Sequence, residues 1–255
     1  MDSSNTSDRE GRGASVGYVE LLRRNRDFRL VWLGQVVSQL GDWFNTIALY
    51  ALVLDLTGSS GRAVGLVLVA RFLPSVVLSP LAGAAADRFS RRAVMIWSDL
   101  LRALVVLGFL LVRRPEDLWL VYTLTVMQLA LSTFFEPART AVIPSIVSRR
   151  ELIPANAISA VTWSAMLTLG AAVGGEVTAW FGARAAFVLD SLTYLLSAAL
   201  IACVRLPPRA PRERRRPTLA RALGLADTLE GFRYVWRRPR VFALMMVKPA
   251  WGIGG

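Results

Sequence analysis

The chain has 255 residues, 54% of them hydrophobic, and a formal net charge of +12 built from 29 Arg and one Lys against 18 acids. It contains no His and one cysteine, Cys203. Imidazole proton relays, His-based triads, His or Cys metal clusters and an internal disulfide are therefore excluded, no metal or cofactor is expected, and most membrane enzyme chemistry is disfavoured.

Residues 1–29 read as a cytoplasmic N-terminal segment. Its first part, 1–17, is polar and rich in Ser and Gly, the composition of a disordered tail. Its second part, "YVELLRRNRDFRL" (18–30), is a short amphipathic lead-in along the inner membrane surface. Apolar blocks then follow at 30–54, 63–86, 93–112, 118–135, 156–181 and 185–204. Each is close to the ~20 residues that cross a hydrocarbon core, so the fold class is all-α and polytopic, with six spans over 30–204. The first block starts too far in, and is too long, for a cleavable signal peptide.

After the sixth block comes a basic stretch, 205–240, containing "RERRR" (212–216). Its later part places Leu219, Leu223, Ala226, Leu229, Phe232 and Trp236 at helical spacing, the pattern of an amphipathic helix at the membrane surface. A seventh apolar block opens at Val241 and runs 15 residues to 255. That length gives only about 22 Å of helix, so it reads as an incomplete span 7 and the chain as truncated.

The arginines orient the spans. With the N-terminus cytoplasmic, 23 Arg fall in the N-terminal segment and inner connections, and four (Arg62, Arg113, Arg114 and Arg184) fall outside. That is the positive-inside pattern, which accounts for the charge without nucleic acid and favours contact with anionic lipid headgroups. The protein is expected in the plasma (inner) membrane.

Charges at membrane depth are costly and need a reason. Asp42 is the thirteenth residue of the first block. With Gln35, Ser38, Gln39, Asn45 and Thr46 it forms a continuous polar stripe on one helical face, as the wall of a water or substrate path would. Hydrogen bonding between helices is the ordinary use of Ser, Asn and Gln in a span, but six polar residues including a carboxylate exceed it. Arg71, Glu176 and Asp190 lie in the outer half of spans 2, 5 and 6 and form a candidate intramembrane charge network. Its plain structural version is an Arg71–Asp190 or Arg71–Glu176 pair. Asp42 is the better proton site. Asp99 and Arg102, near the inner end of span 3, and Glu136 and Arg139, near the inner end of span 4, are i, i+3 pairs. Pro137 is expected to end the fourth helix. On span 5, Gly170, Gly174 and Gly175 with Ala171 and Ala172 favour close helix approach.

The connection between spans 2 and 3 reads "GAAADRFSRR" (83–92). Its pattern, Gly83-x-x-x-Asp87-Arg88-x-x-Arg91-Arg92, resembles in spacing and location the signature of the major facilitator superfamily. A finer resemblance, to the drug:proton antiporter branch that includes bacterial macrolide and enterobactin exporters, rests on "NRDFRLVWLGQVVSQLGDWF", "FFEPARTAVIPSIV", "ELIPANAISAV" and "FVLDSLTYLLSA". It implies a twelve-span fold of which this chain is the first half with the start of span 7, and a missing C-terminal half of the same chain as partner. It also implies an inner gate in which the loop charges meet Asp99, Arg102, Glu136 and Arg139, with Gly83 letting two helices come close. Gln128 on span 4 and Trp163 on span 5 join the path residues. Two departures stand out: Gly170 is followed by Ala171 rather than Pro, and no Arg stands mid-way along span 4.

The resulting expectation is a secondary transporter exporting an amphipathic small molecule by alternating access, exchanged for protons. A facilitator or importer without proton coupling is the alternative within transport. A receptor or scaffold acting through the basic loop is the alternative of another class.

Overall fold

The computed structural model describes residues 17–206 together with 233 and 236–238. The expected tail over 1–16, most of the basic loop with its amphipathic helix, and the incomplete span at 241–255 lie outside the described residues. Within them the chain is helical, with no strand.

The helices are α1 (Tyr18–Arg24), α2 (Arg26–Leu56), α3 (Gly61–Arg88), α4 (Arg91–Gly108), α5 (Leu118–Ile146), α6 (Leu152–Ala165) and α7 (Ala171–Ala202). Their starts follow from capping chemistry. Asn25 accepts from the Phe28 amide at 2.9 Å, Ser60 from Ala63 at 3.4 Å and Ser90 from Ala93 at 3.4 Å. Each such cap contributes on the order of 1 kcal/mol to its helix. Before α5, Asp117 Oδ2 accepts from the backbone amides of Arg113 and Arg114 at 2.9 and 3.0 Å, closing the short turn Pro115–Asp117. The lead-in expected at 18–30 is therefore two helices broken at Asn25, which also donates Nδ2 to the Ile146 carbonyl at 2.7 Å. Leu21 of α1 is fully buried with Phe28, Ile143, Ala155 and Ile158, so α1 is held on the ends of α5 and α6.

Pro137 does not end the fourth helix. α5 runs through both Pro137 and Pro144 to Ile146, and α3 likewise contains Pro74 and Pro80. An interior proline removes one backbone bond, at Pro137 the one to the Thr133 carbonyl, whereas a helix end would leave four carbonyls without partners; where water is scarce the kink costs less.

Four helical segments among the described residues are long and apolar enough to cross a membrane: Gly61–Arg88, Arg91–Leu111, Pro115–Ile146 and Leu152–Ala202. α2 has the length but carries the polar stripe, which lowers its hydropathy. The last segment has 51 residues, which as one straight rod would run about 77 Å, well over twice a hydrocarbon core. It does not run straight. Gly182 has φ 79° and ψ 164°, a conformation open to Gly alone, and there the chain turns back into a second limb, 183–202. Upstream, Met166–Gly170 form one wide π turn joining α6 to α7.

α2 packs chiefly on α7, α3 on α5, and α4 on both α5 and α7. Small residues set the closeness of the first contact. A Cβ on Gly41 would overlap the Thr193 hydroxyl, and one on Gly174 would come within 2.9 Å of the Trp43 carbonyl oxygen. Gly170 also packs on Trp43, while Gly175 meets open space. One apolar core (Leu49, Val53, Val67, Phe109, Val121, Phe187) includes a Phe109–Phe187 ring stack at 5.0 Å. A second gathers Val31, Ala86, Met95, Phe135, Val142 and Ile201. On α4 the buried polar side chains Ser98, Asp99 and Arg102 fall between the segments that build these two cores.

Candidate functional site

Two adjoining pockets open along α2. The larger, about 410 Å³, is lined by Gln35, Ser38, Gln39 and Asp42 of α2, Arg102 of α4, Ser132, Phe135, Glu136 and Arg139 of α5, and Ser159, Ala160 and Trp163 of α6. The smaller, about 220 Å³, is lined by Gln39, Asp42, Trp43 and Thr46 together with Arg71, Leu129, Ser132, Trp163, Met166 and Leu167. Gln39, Asp42, Ser132 and Trp163 belong to both. Five of the six stripe residues, Gln35, Ser38, Gln39, Asp42 and Thr46, thus line one wall, because residues three and four apart share a helical face, while Asn45 is buried and lines neither pocket. Trp163 presents its indole with 60% of its surface exposed. The α2–α6 side is fixed by Trp32, whose Nε1 donates to Thr162 Oγ1 at 2.8 Å.

Asp42 is the one stripe residue with an acidic side chain, and its Oδ1 accepts a hydrogen bond from the Tyr194 hydroxyl of α7. Gln128 Nε2 of α5 in turn donates to that hydroxyl oxygen at 3.1 Å. The Arg102 guanidinium lies over the Tyr194 ring at 4.3 Å and the Phe135 ring at 4.9 Å, and pairs with Asp99. Asp190 is fully buried and within electrostatic reach of Asp42 and Arg102. Asp42, Asp99 and Asp190 therefore lie around one guanidinium, which is ion-paired with Asp99. Asn45, fully buried, and Thr46, which donates to the Asp42 carbonyl at 2.6 Å, complete the stripe.

A second polar group lies further along α5. Arg139, 7% exposed, donates to Gln35 Oε1 at 2.8 Å and to both oxygens of Glu136. Glu136 remains more than half exposed and also faces a groove of about 680 Å³ between α3 and α5, lined by hydroxyls such as Ser75, Ser79 and Thr140.

Several expected groupings differ from this arrangement. Asp99 and Arg102 stand apart from the 83–92 connection. They are the ninth and twelfth residues of the segment that begins at Arg91, so Arg102 is about 16 Å along it, and both are buried among Asp42, Tyr194 and Asp190. Arg71 forms no ion pair with Asp190 or Glu176 among the described residues; it lines the smaller pocket with Asp42, while Asp190 is beside Arg102 and Glu176 is exposed. In the 2–3 connection, Arg91 donates to the backbone carbonyl of Ala141 in α5 and Arg92 to that of Ala202 at the end of α7. Asp87 and Arg88 are exposed beside them. A Cβ on Gly83 would meet nothing within 4 Å among the described residues, so no close approach occurs there. Tyr194, Phe135 and Ser132 were not singled out from the sequence. Tyr194 carried a usable signal, since it is four residues beyond Asp190 and shares its helical face.

The sequence model of the Major Facilitator Superfamily matches residues 31–254. The chain belongs to that superfamily. It is 27% identical over 219 residues to the MFS-type transporter YfiS of Bacillus subtilis, covering 86% of this chain and 51% of the relative. It is 31% identical over 176 residues to the putative bacilysin exporter BacE of Bacillus subtilis, covering 68% and 43%. Against macrolide efflux protein A of Streptococcus pyogenes it is 26% identical over 225 residues, covering 86% and 54%. The chain spans about half the length of the curated relatives it matches. Membership makes it a membrane protein of a transporter family, with exporters of small molecules among its relatives.

Proposed function

We propose that this chain forms one half of an exporter that moves an amphipathic small molecule outward by alternating access, in exchange for protons. Asp42 is the proton site, and Gln35, Gln39, Asn45, Thr46, Gln128 and Trp163 belong to the path. One observation carries the reading: a carboxylate in the middle of a helix lines both pockets, on a continuous polar face. A proton added there removes a charge whose burial is costly, and so biases whichever of two conformations buries it more deeply. The exporters among the relatives support the direction and the substrate class. The hydroxyls, amides and indole of the pocket suit a molecule with both polar and apolar parts.

In this reading α2, α3, α4, α5 and the two limbs meeting at Gly182 are six membrane crossings with the N-terminus cytoplasmic. The basic segments face anionic headgroups, and a second bundle closes the path. The Arg91 and Arg92 contacts then hold the cytoplasmic ends of α4, α5 and α7 together while the inner side is shut.

The test is transport by the full-length protein in proteoliposomes under an imposed pH gradient, with a radiolabelled macrolide as probe. Accumulation that collapses with a protonophore supports the proposal. Accumulation that survives it replaces proton exchange with another energy source, and downhill movement alone makes the protein a facilitator.

A further inference from the structure

We propose that Tyr194 is a positioning residue that passes the charge state of Asp42 to Arg102, and through α4 to the contacts of Arg91 and Arg92. The inference rests on the proton reading of Asp42 and deepens it.

Tyr194 is fully buried, and its hydroxyl has a defined direction. A phenol owns one hydrogen, and the amide nitrogen of Gln128 can only donate. With Gln128 Nε2 donating to the hydroxyl at 3.1 Å, the phenol hydrogen is directed to Asp42 Oδ1. A phenol that donates to a carboxylate pushes electron density into its ring, and Arg102 lies 4.3 Å over that ring. Neutralising Asp42, by a proton or by a cationic group of the substrate, weakens the donation and with it the attraction of the ring for Arg102. Arg102 is not fully satisfied where it lies: among the described residues its Nε is buried without a hydrogen-bond partner, while Asp99 and the Phe135 ring hold its other side.

The charged groups around this contact come from several helices. Arg71 of α3 shares the smaller pocket with Asp42, Asp99 and Arg102 belong to α4, Glu136 and Arg139 to α5, and Asp190 to α7. Arg139 is held by Glu136 and Gln35, so beside the direct electrostatic attraction between Asp42 and Arg102 the contact route between them runs through Tyr194. α4 then carries the effect. The same rigid helix that places Arg102 in its middle places Arg91 and Arg92 in its first turn, bonded to carbonyls of α5 and α7. A side chain that only filled the core would leave the pH profile of those contacts unchanged.

Cys203 supplies the reporter. It is exposed and follows Ala202, whose carbonyl Arg92 holds. The full-length protein, purified in detergent and labelled with bimane at Cys203, is titrated with acid while bimane fluorescence is followed. A sigmoidal change is expected in the wild type, and its loss in Asp42→Asn. Tyr194→Phe should lose it too, although Asp42 is intact. Gln128→Met, which keeps the volume and removes the amide, whose N–H orients the phenol and whose oxygen has no partner among the described residues, should move the midpoint. A wild-type profile in either folded variant, Tyr194→Phe or Gln128→Met, overturns the role given to Tyr194 and leaves the proton reading standing. A flat wild-type titration, or one unchanged by Asp42→Asn, overturns the proton reading and this inference with it.

Discussion

Arg139 on α5 donates Nη1 to Gln35 Oε1 on α2 at 2.8 Å, while its remaining nitrogens hold Glu136 one turn back on its own helix. The guanidinium is thus shared between a neighbour on another helix, itself only 3% exposed, and a carboxylate more than half exposed. The buried partner is the one whose loss matters. Gln35→Leu should destabilise the bundle by about 1–3 kcal/mol, because a buried charged donor loses its acceptor. Glu136→Gln should cost less, because water can replace an exposed partner. Thermal unfolding in detergent compares the two, and equal shifts would refute the ranking.

Asp42→Asn keeps an oxygen for the Tyr194 hydroxyl and removes only the negative charge. Membrane insertion and yield should therefore be unchanged, while macrolide accumulation driven by a pH gradient is lost. Full pH-dependent accumulation by this variant would take the proton role away from Asp42.

The contact of Arg92 with the Ala202 carbonyl is on the surface, next to Cys203. Arg92→Gln should let the last turn of α7 fray, at a cost of about 1 kcal/mol, and so speed alkylation of Cys203 by N-ethylmaleimide roughly five-fold. An unchanged rate would show that the arginine does not hold that helix end.

Gly182 turns the chain with a backbone conformation that a Cβ makes costly. Gly182→Ala should lose about 1–3 kcal/mol from that strain alone, although the added methyl meets no neighbour within 4 Å. Unfolding of the variant in detergent measures it. A neutral result would mean that the turn is made elsewhere.

The long helices were legible from apolar blocks alone, because the thickness of a hydrocarbon core is a hard constraint on length. The stripe on α2 was legible for a similar reason: the helical repeat decides which side chains share a face whatever packs against it. Partners were not. That Asp42 meets Tyr194 depends on how closely α2 approaches α7, which Gly41 permits but does not announce. Nor were the neighbours of Asp99 and Arg102, since position within an apolar block says little about which side chains surround a residue. Pro137 misled because the usual penalty for proline assumes that water will take over the freed carbonyls. The motif implies close approach at Gly83, but a Cβ there would meet nothing within 4 Å among the described residues.

The wide turn at Met166–Gly170 divides one membrane-length helix into two stretches set at different rotations. Before it, Ser159, Ala160 and Trp163 look into the larger pocket; after it, Gly174 rests on the backbone of α2. Each residue of an α-helix advances about 100° around the axis, so a bulge that migrates by one position swivels every side chain it passes by that amount. A bulge shifted from 166–170 back to Trp163 would therefore turn that indole in the pocket while the part clamped to α2 stays in place.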